Sequence, residues 1–197
     1  NFISRKFSGI KKLEYLSSLK NNLNLHIHLM VKDPFSLLPN NKTYIDSYIE
    51  SGATSLAVHA RSFKNRKFLK EAMQYIRNQG CRPGLVIEVN QINCQELWDL
   101  ICFLEINWVL IMGVPIGYGG QLFQTASLQK INYLRKMSID QKIDNFDIEI
   151  DGGLTFNNLS DCFNSGANIF AGWSIIKDNK LANVVKNYKQ IYSQTVV

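Results

Sequence analysis

The sequence of 197 residues has no apolar run close to the roughly 20 residues a membrane span requires. The stretches 101–104 and 108–112 are short, and Glu105 and Asn107 stand between them. The first residues, Asn1-Phe2-Ile3-Ser4-Arg5, lack the charged-then-apolar layout of a signal peptide. Lysine and arginine exceed acidic residues to give a net charge of +6, yet no block of five like charges occurs. A basic nucleic-acid surface needs such clustering, so neither nucleic acid nor membrane is an expected partner. The scattered positive charge suits solvated helix faces and an attraction for small anions. The cysteines, Cys81, Cys94, Cys102 and Cys162, form no CxxC pair and no zinc spacing. They read as small buried hydrophobes in a reducing, cytoplasmic setting. No linker or low-complexity stretch divides the chain, so residues 1–197 are expected to form one domain.

What is present is strand alternating with helix. Apolar runs of strand length fall at 25–30, 54–60, 84–89, 108–113, 146–150 and 169–172. Between them apolar residues recur at helical spacing. Phe68, Leu69, Ala72, Met73, Tyr75 and Ile76 make one stripe; Leu97, Leu100, Ile101 and Leu104 a second. Leu128, Ile131, Leu134 and Met137 make a third, and Leu181, Val184, Val185 and Tyr188 a fourth. Gly52, Gly80 and Gly166 stand where helices should end. Short, nearly continuous apolar strands joined by helices imply a parallel sheet covered by helices. Either an open doubly wound sheet or a (β/α)₈ barrel satisfies this pattern.

Chemistry in such folds collects at the C-terminal ends of strands. His26 and His28 share one face of the first run, because strand side chains alternate. Each is a core histidine or a metal ligand through a neutral imidazole. His59 ends the second run. After the fourth comes Gly117-Tyr118-Gly119-Gly120-Gln121, with three glycines in four positions. Glycines let backbone N–H groups approach an anion closely, and this loop reads as a phosphate cradle. Asp151-Gly152-Gly153 closes the fifth run, either as a turn or as a carboxylate placed for acid–base or metal chemistry. Gly172-Trp173-Ser174 ends the sixth ahead of a helix, the usual phosphate position of a barrel.

Taken in order, these pieces resemble the ribulose-phosphate 3-epimerase family. The resemblance runs through His28-Leu29-Met30 with Asp33-Pro34, through His59, and through Ile111-Met112-Gly113-Val114 followed by Gly117 to Phe123. It continues in Ile148-Glu149-Ile150-Asp151-Gly152-Gly153 and Gly166-Ala167-Asn168-Ile169-Phe170. It implies a TIM (β/α)₈ barrel of the ribulose-phosphate-binding type, incomplete at the N-terminus, with about six of eight strands. The opening on Asn1 and a helix expected over 9–20 fit a fragment that lacks the first two strands.

The resemblance further implies a metal-dependent inversion at C3 of a ketose phosphate such as D-ribulose 5-phosphate. His28 and Asp151 would hold a divalent ion (zinc, manganese or iron), and Asp151 would also be the catalytic acid/base. His59, Met112, Gly117, Gly119, Gly120, Gln121, Gly152, Gly153, Gly172, Trp173 and Ser174 would line the sugar-phosphate site. The family's other two ligands precede Asn1, and the full-length protein is expected to form a homo-oligomer. Glu88-Val89, Arg61 and Trp173 depart from the family pattern. They leave a non-catalytic sugar-phosphate-binding protein as an alternative. A related aldolase or synthase is a further alternative, although no strand ends in a Schiff-base lysine.

Overall fold

The computed structural model describes residues 24–90, 93–172, 175, 177 and 181–195. The helix expected over 9–20, and Trp173 and Ser174, lie outside the described residues. The chain separates into two compact units: residues up to Val86 with Phe103–Ile106, and Ile87–Cys102 with Asn107 onward.

In the first unit β1 (His26–Leu29), β2 (Ser55–His59) and β3 (Arg82–Ile87, its last residue at the unit boundary) form parallel ladders. The register pairs His28 with Ala57 and His59 with Val86. On β1 the alternation is plain: Ile27 and Leu29 are buried, whereas His26 is exposed and His28 half-buried. Every residue of β2 is buried, the pattern of a strand covered on both faces. Two helices supply cover. A capping box starts α1 (Tyr44–Glu50): the Thr43 hydroxyl accepts from the Asp46 N–H, and the Asp46 carboxylate accepts from the Thr43 N–H. The Asn65 side chain caps α2 (Arg66–Asn78), which buries Leu69, Ala72, Met73 and Ile76 of the expected stripe, while Phe68 is exposed and Tyr75 half-buried. β3 starts two residues before the apolar run at 84–89, because the Arg82 N–H already donates to the Thr54 carbonyl.

The second unit contains most of α3 (Cys94–Leu104), then β4 (Trp108–Met112), α4 (Ala126–Asp140), β5 (Asp147–Asp151), α5 (Phe156–Asn164), β6 (Ile169–Ala171) and α6 (Leu181–Thr195). Its ladders are again parallel, and Met112 pairs with Asp151. The buried face of α4 is not the expected stripe. Ile131 and Leu134 are buried, but beside them lie Ser127, Lys130 and Ser138, while Leu128 and Met137 are half-buried. Each polar residue has a carbonyl to meet. The Ser127 hydroxyl donates to Met112 at 2.9 Å and that of Ser138 to Arg135 at 2.8 Å. Cys81 and Cys162 are buried as expected, whereas Cys102 is exposed and Cys94 half-buried. Among the described residues no helix is long and apolar enough to cross a membrane.

Candidate active site

The first unit carries two imidazoles at its strand ends. His28 and His59 bring their Nε2 atoms to 2.9 Å. His59 is 1% exposed, and its pKa is driven down to about 3, first by burial and then by His28 and Arg61. It is therefore neutral at physiological pH, the form that accepts a hydrogen bond or binds a metal. The turn Ala60–Ser62 follows His59 directly, and the Ser62 hydroxyl donates to the Val31 carbonyl at 2.7 Å. The ends of β1 and β2 are thus tied beside the two rings. Met30, the next residue of β1's run, is exposed.

The second unit, by itself, carries a carboxylate and a glycine-built strand end. Asp151 is the last residue of β5 and is half-exposed. Around it the backbone is tightly bonded: the Gly113 N–H donates to the Asp151 carbonyl at 2.7 Å and the Gly152 N–H to Ala171 at 3.2 Å. A Cβ on Gly113 would stand 2.3 Å from the Gly152 carbonyl oxygen and 2.9 Å from the Phe123 ring. Gly153, at φ +70°, has the Phe123 backbone within 2.9 Å of the same position, and Gly152 has a Val114 methyl at 2.7 Å. Glycine is required here so that the chain leaving β4 can fold back over β5. Downstream, the Asn158 amide donates to the Gly153 carbonyl while its oxygen accepts from the Thr155 N–H, which fixes the start of α5.

Gly117, Gly119 and Gly120 differ from these: no atom lies within 4 Å of a Cβ built on any of them. This loop is open, with Tyr118 74% and Leu122 86% exposed. The Gln121 side chain turns inward on the loop, its amide donating to the carbonyls of Pro115 at 2.6 Å and Tyr118 at 2.8 Å. Gly172 is half-buried against Leu154 and Ile175.

Two neighbours of the site were missed by the motif reading. Glu149 lies two residues before Asp151 on β5 and so shares its face; it is buried and accepts from the Trp108 indole N–H at 3.1 Å. Strand alternation alone would have pointed to it. Lys130 is 7% exposed, and its ammonium donates to the carbonyls of Glu88 (3.1 Å) and Val89. Burial lowers its pKa, and Cys94 works in the opposite sense. No sequence signal marks that contact. Among the described residues no three His, Cys, Asp or Glu side chains converge as a metal-binding group. The donors available, imidazole and carboxylate, are nonetheless chemically suited to a divalent ion.

Among the described residues six parallel strands alternating with helices make an α/β barrel of the incomplete (β/α)₈ type, and solved structures agree. A 3-keto-L-gulonate-6-phosphate decarboxylase from Vibrio cholerae superposes with a TM-score of 0.58 at 15% identity, over 84% of this chain and 70% of that one. A 3-hexulose-6-phosphate synthase gives a TM-score of 0.63 at 12% identity, over 93% of this chain and 81% of that one.

The sequence signature described as the Ribulose-phosphate 3 epimerase family matches residues 1–176, and the chain belongs to that family. A ribulose-phosphate 3-epimerase from Buchnera aphidicola subsp. Schizaphis graminum is 29% identical over 201 residues, covering 100% of this chain and 82% of its own length. The enzyme of that name from Escherichia coli K12 is 28% identical over 166 residues, 83% of this chain and 68% of its own length. The family comprises carbohydrate epimerases, enzymes of the isomerase class, and is in general dependent on a divalent metal.

Proposed function

We propose that this chain inverts C3 of a ketose phosphate, converting D-ribulose 5-phosphate or a close relative to its C3 epimer. The observation that carries the reading is the setting of Asp151, a half-exposed carboxylate at a strand end whose partner strand leads into an open glycine loop. Asp151 removes or returns the proton at C3, the general acid–base role a positioned carboxylate serves. Gly117, Gly119, Gly120, Gly152, Gly153 and Gly172 present backbone to the phosphate, and Trp173 and Ser174 are assigned to phosphate binding as well. His59, Met112 and Gln121 border the sugar. A divalent ion, zinc, manganese or iron, would be held by His28 and Asp151 and would supply positive charge beside the substrate oxygens. One barrel domain over residues 1–197, a cytoplasmic location and a homo-oligomeric assembly complete the reading.

Hydron exchange tests it. The chain is incubated with ribulose 5-phosphate and Mn²⁺ in heavy water, and deuterium at C3 is followed by NMR. Wash-in that falls by a factor of about 100 or more in Asp151→Asn supports the assignment, given the 10²–10⁴-fold typical of a general base. Absent exchange with retained binding favours the alternative, a sugar-phosphate-binding protein. The buried Glu88 beside Lys130, at a position where the family pattern is not kept, is the feature on that side.

A further inference from the structure

The loop after β1, the turn after β2 and the first three turns of α2 line a cavity that shares no residue with the proposed sugar-phosphate site. It lies wholly within the first unit. Its volume of about 850 Å³ falls within the roughly 300–1,000 Å³ of small-molecule sites.

Aromatic rings dominate the lining. Phe35 meets Phe63 with centroids 6.5 Å apart and Tyr75 at 5.6 Å, edge-on in both cases, with planes 72° and 69° apart. Rings set edge to face do not cover one another as a stack would, so faces remain for a further flat ring. Phe68 adds a fourth ring, and Ala72 a buried floor. Phe35 is 38% and Phe68 47% exposed, apolar surface that a ligand in the cavity would remove from water.

The hydroxyl protons of the lining are already used. Tyr75 donates to the Asp46 carboxylate at 2.6 Å and Ser62 to the Val31 carbonyl at 2.7 Å. Polar recognition therefore falls to the charged groups. Two are carboxylates, and each has a donor: Asp33 accepts from the Phe35 N–H at 3.1 Å, and Glu71 faces Lys67 at 4.0 Å. Two are ammonium groups, Lys32 and Lys64, and neither has an ion-pair partner among the described residues. Around them the segment 61–70 carries five cationic side chains and no acidic one. The cavity is thus complementary to negative charge.

We propose that this cavity binds a small aromatic anion, a flat ring held among Phe35, Phe63, Phe68 and Tyr75 that bears a phosphate or carboxylate paired with Lys32 and Lys64. A nucleoside monophosphate and an aryl carboxylate share that chemistry. Two exposed lysines are screened by solvent and hold an anion weakly, each pair contributing at most about fivefold. A ring without charge has only the aromatic contacts. The two together make the site selective.

The test follows the backbone amides of this chain by ¹H–¹⁵N NMR in separate titrations with adenosine monophosphate, adenosine, indole-3-carboxylate, indole and inorganic phosphate. At least one of the two aromatic anions should move the amides of Phe35, Phe63 and Lys64, and the tighter of them assigns the class. Its neutral counterpart should bind about 5- to 25-fold more weakly, and phosphate should leave these amides in place. Lys32→Gln combined with Lys64→Gln should bring the anion down to the affinity of its neutral counterpart. Phe68→Leu keeps apolar bulk on an exposed helix face but removes the ring, and should weaken binding about 5- to 100-fold, the range for one aromatic stack. Shifts confined to the loop 117–120, or an affinity unchanged in the double lysine variant, would overturn the proposal. So would self-association that Phe68→Leu abolishes with no ligand-induced shift, because a second copy of the chain would then fill the cavity.

Discussion

The two compact units prepare their strand ends by opposite means. In the first, two side chains meet through a hydrogen bond at the ends of β1 and β2, and the surrounding backbone is ordinary. In the second, backbone meets backbone: Gly113, Gly152 and Gly153 leave no room for a methyl group, and the chain after β4 packs into the space they vacate. A side-chain arrangement can be altered atom by atom while the fold persists. A backbone arrangement of this density fails as a whole, because the group that must move is a carbonyl or a main-chain segment.

Substitutions should expose that contrast. The largest effect is expected at Gly113→Ala, whose new methyl meets the Gly152 carbonyl. We expect a loss of about 3 kcal/mol in urea unfolding, at the upper end for overpacked sites. Gly119→Ala serves as the control: its surroundings are empty, so stability should stay within about 0.5 kcal/mol while any phosphate affinity of the loop falls. Equal destabilisation at the two positions would break the comparison.

Next comes Trp108→Phe, which removes the indole donor from the buried Glu149 and should cost about 1–3 kcal/mol by the same measurement. In the first unit the expected losses are smaller. Thr43→Ala deletes the hydroxyl of the α1 capping box and should cost about 1 kcal/mol, read as a lower thermal midpoint.

The smallest effect is a pH dependence. Burial works to raise the Asp46 pKa, but hydrogen bonds from Tyr75 and Thr43 outweigh it and hold the carboxyl below its ordinary value. A carboxyl depressed in the folded state stabilises fully above its unfolded pKa and loses that contribution as pH falls through the folded one. Acid titration of stability should therefore be shallower in Tyr75→Phe, which lacks the 2.6 Å bond to Asp46. The group is half-buried and partly screened by solvent, so the difference is small.

Much of this was legible in the sequence, and the exceptions have a common cause. Strands and helices followed from apolar spacing, and Asp151 and the glycine loop followed from their places after apolar runs. The α4 face was misread at Ser127, Lys130 and Ser138, because periodicity counts apolar residues and is blind to a polar side chain that meets a carbonyl. Gly152 and Gly153 read as ligand-facing backbone, and the structure adds a packing reason for them, since a Cβ on either would meet Val114 or Phe123. Sequence shows that a glycine is present but not what crowds it. The His28–His59 bond joins residues 31 apart, and no local pattern encodes a partner at that range.

If the loop takes the phosphate as proposed, the Gln121 amide, tied to the carbonyls of Pro115 and Tyr118, bears on the timing of ligand capture. A loop that must settle as its ligand arrives gives up chain entropy at that moment and weakens its own affinity. Here the side chain has already drawn the loop into a closed circuit, so part of that ordering is complete before any encounter. Arrival is then governed by diffusion and by the positive charge of the chain, and residence by the contacts made.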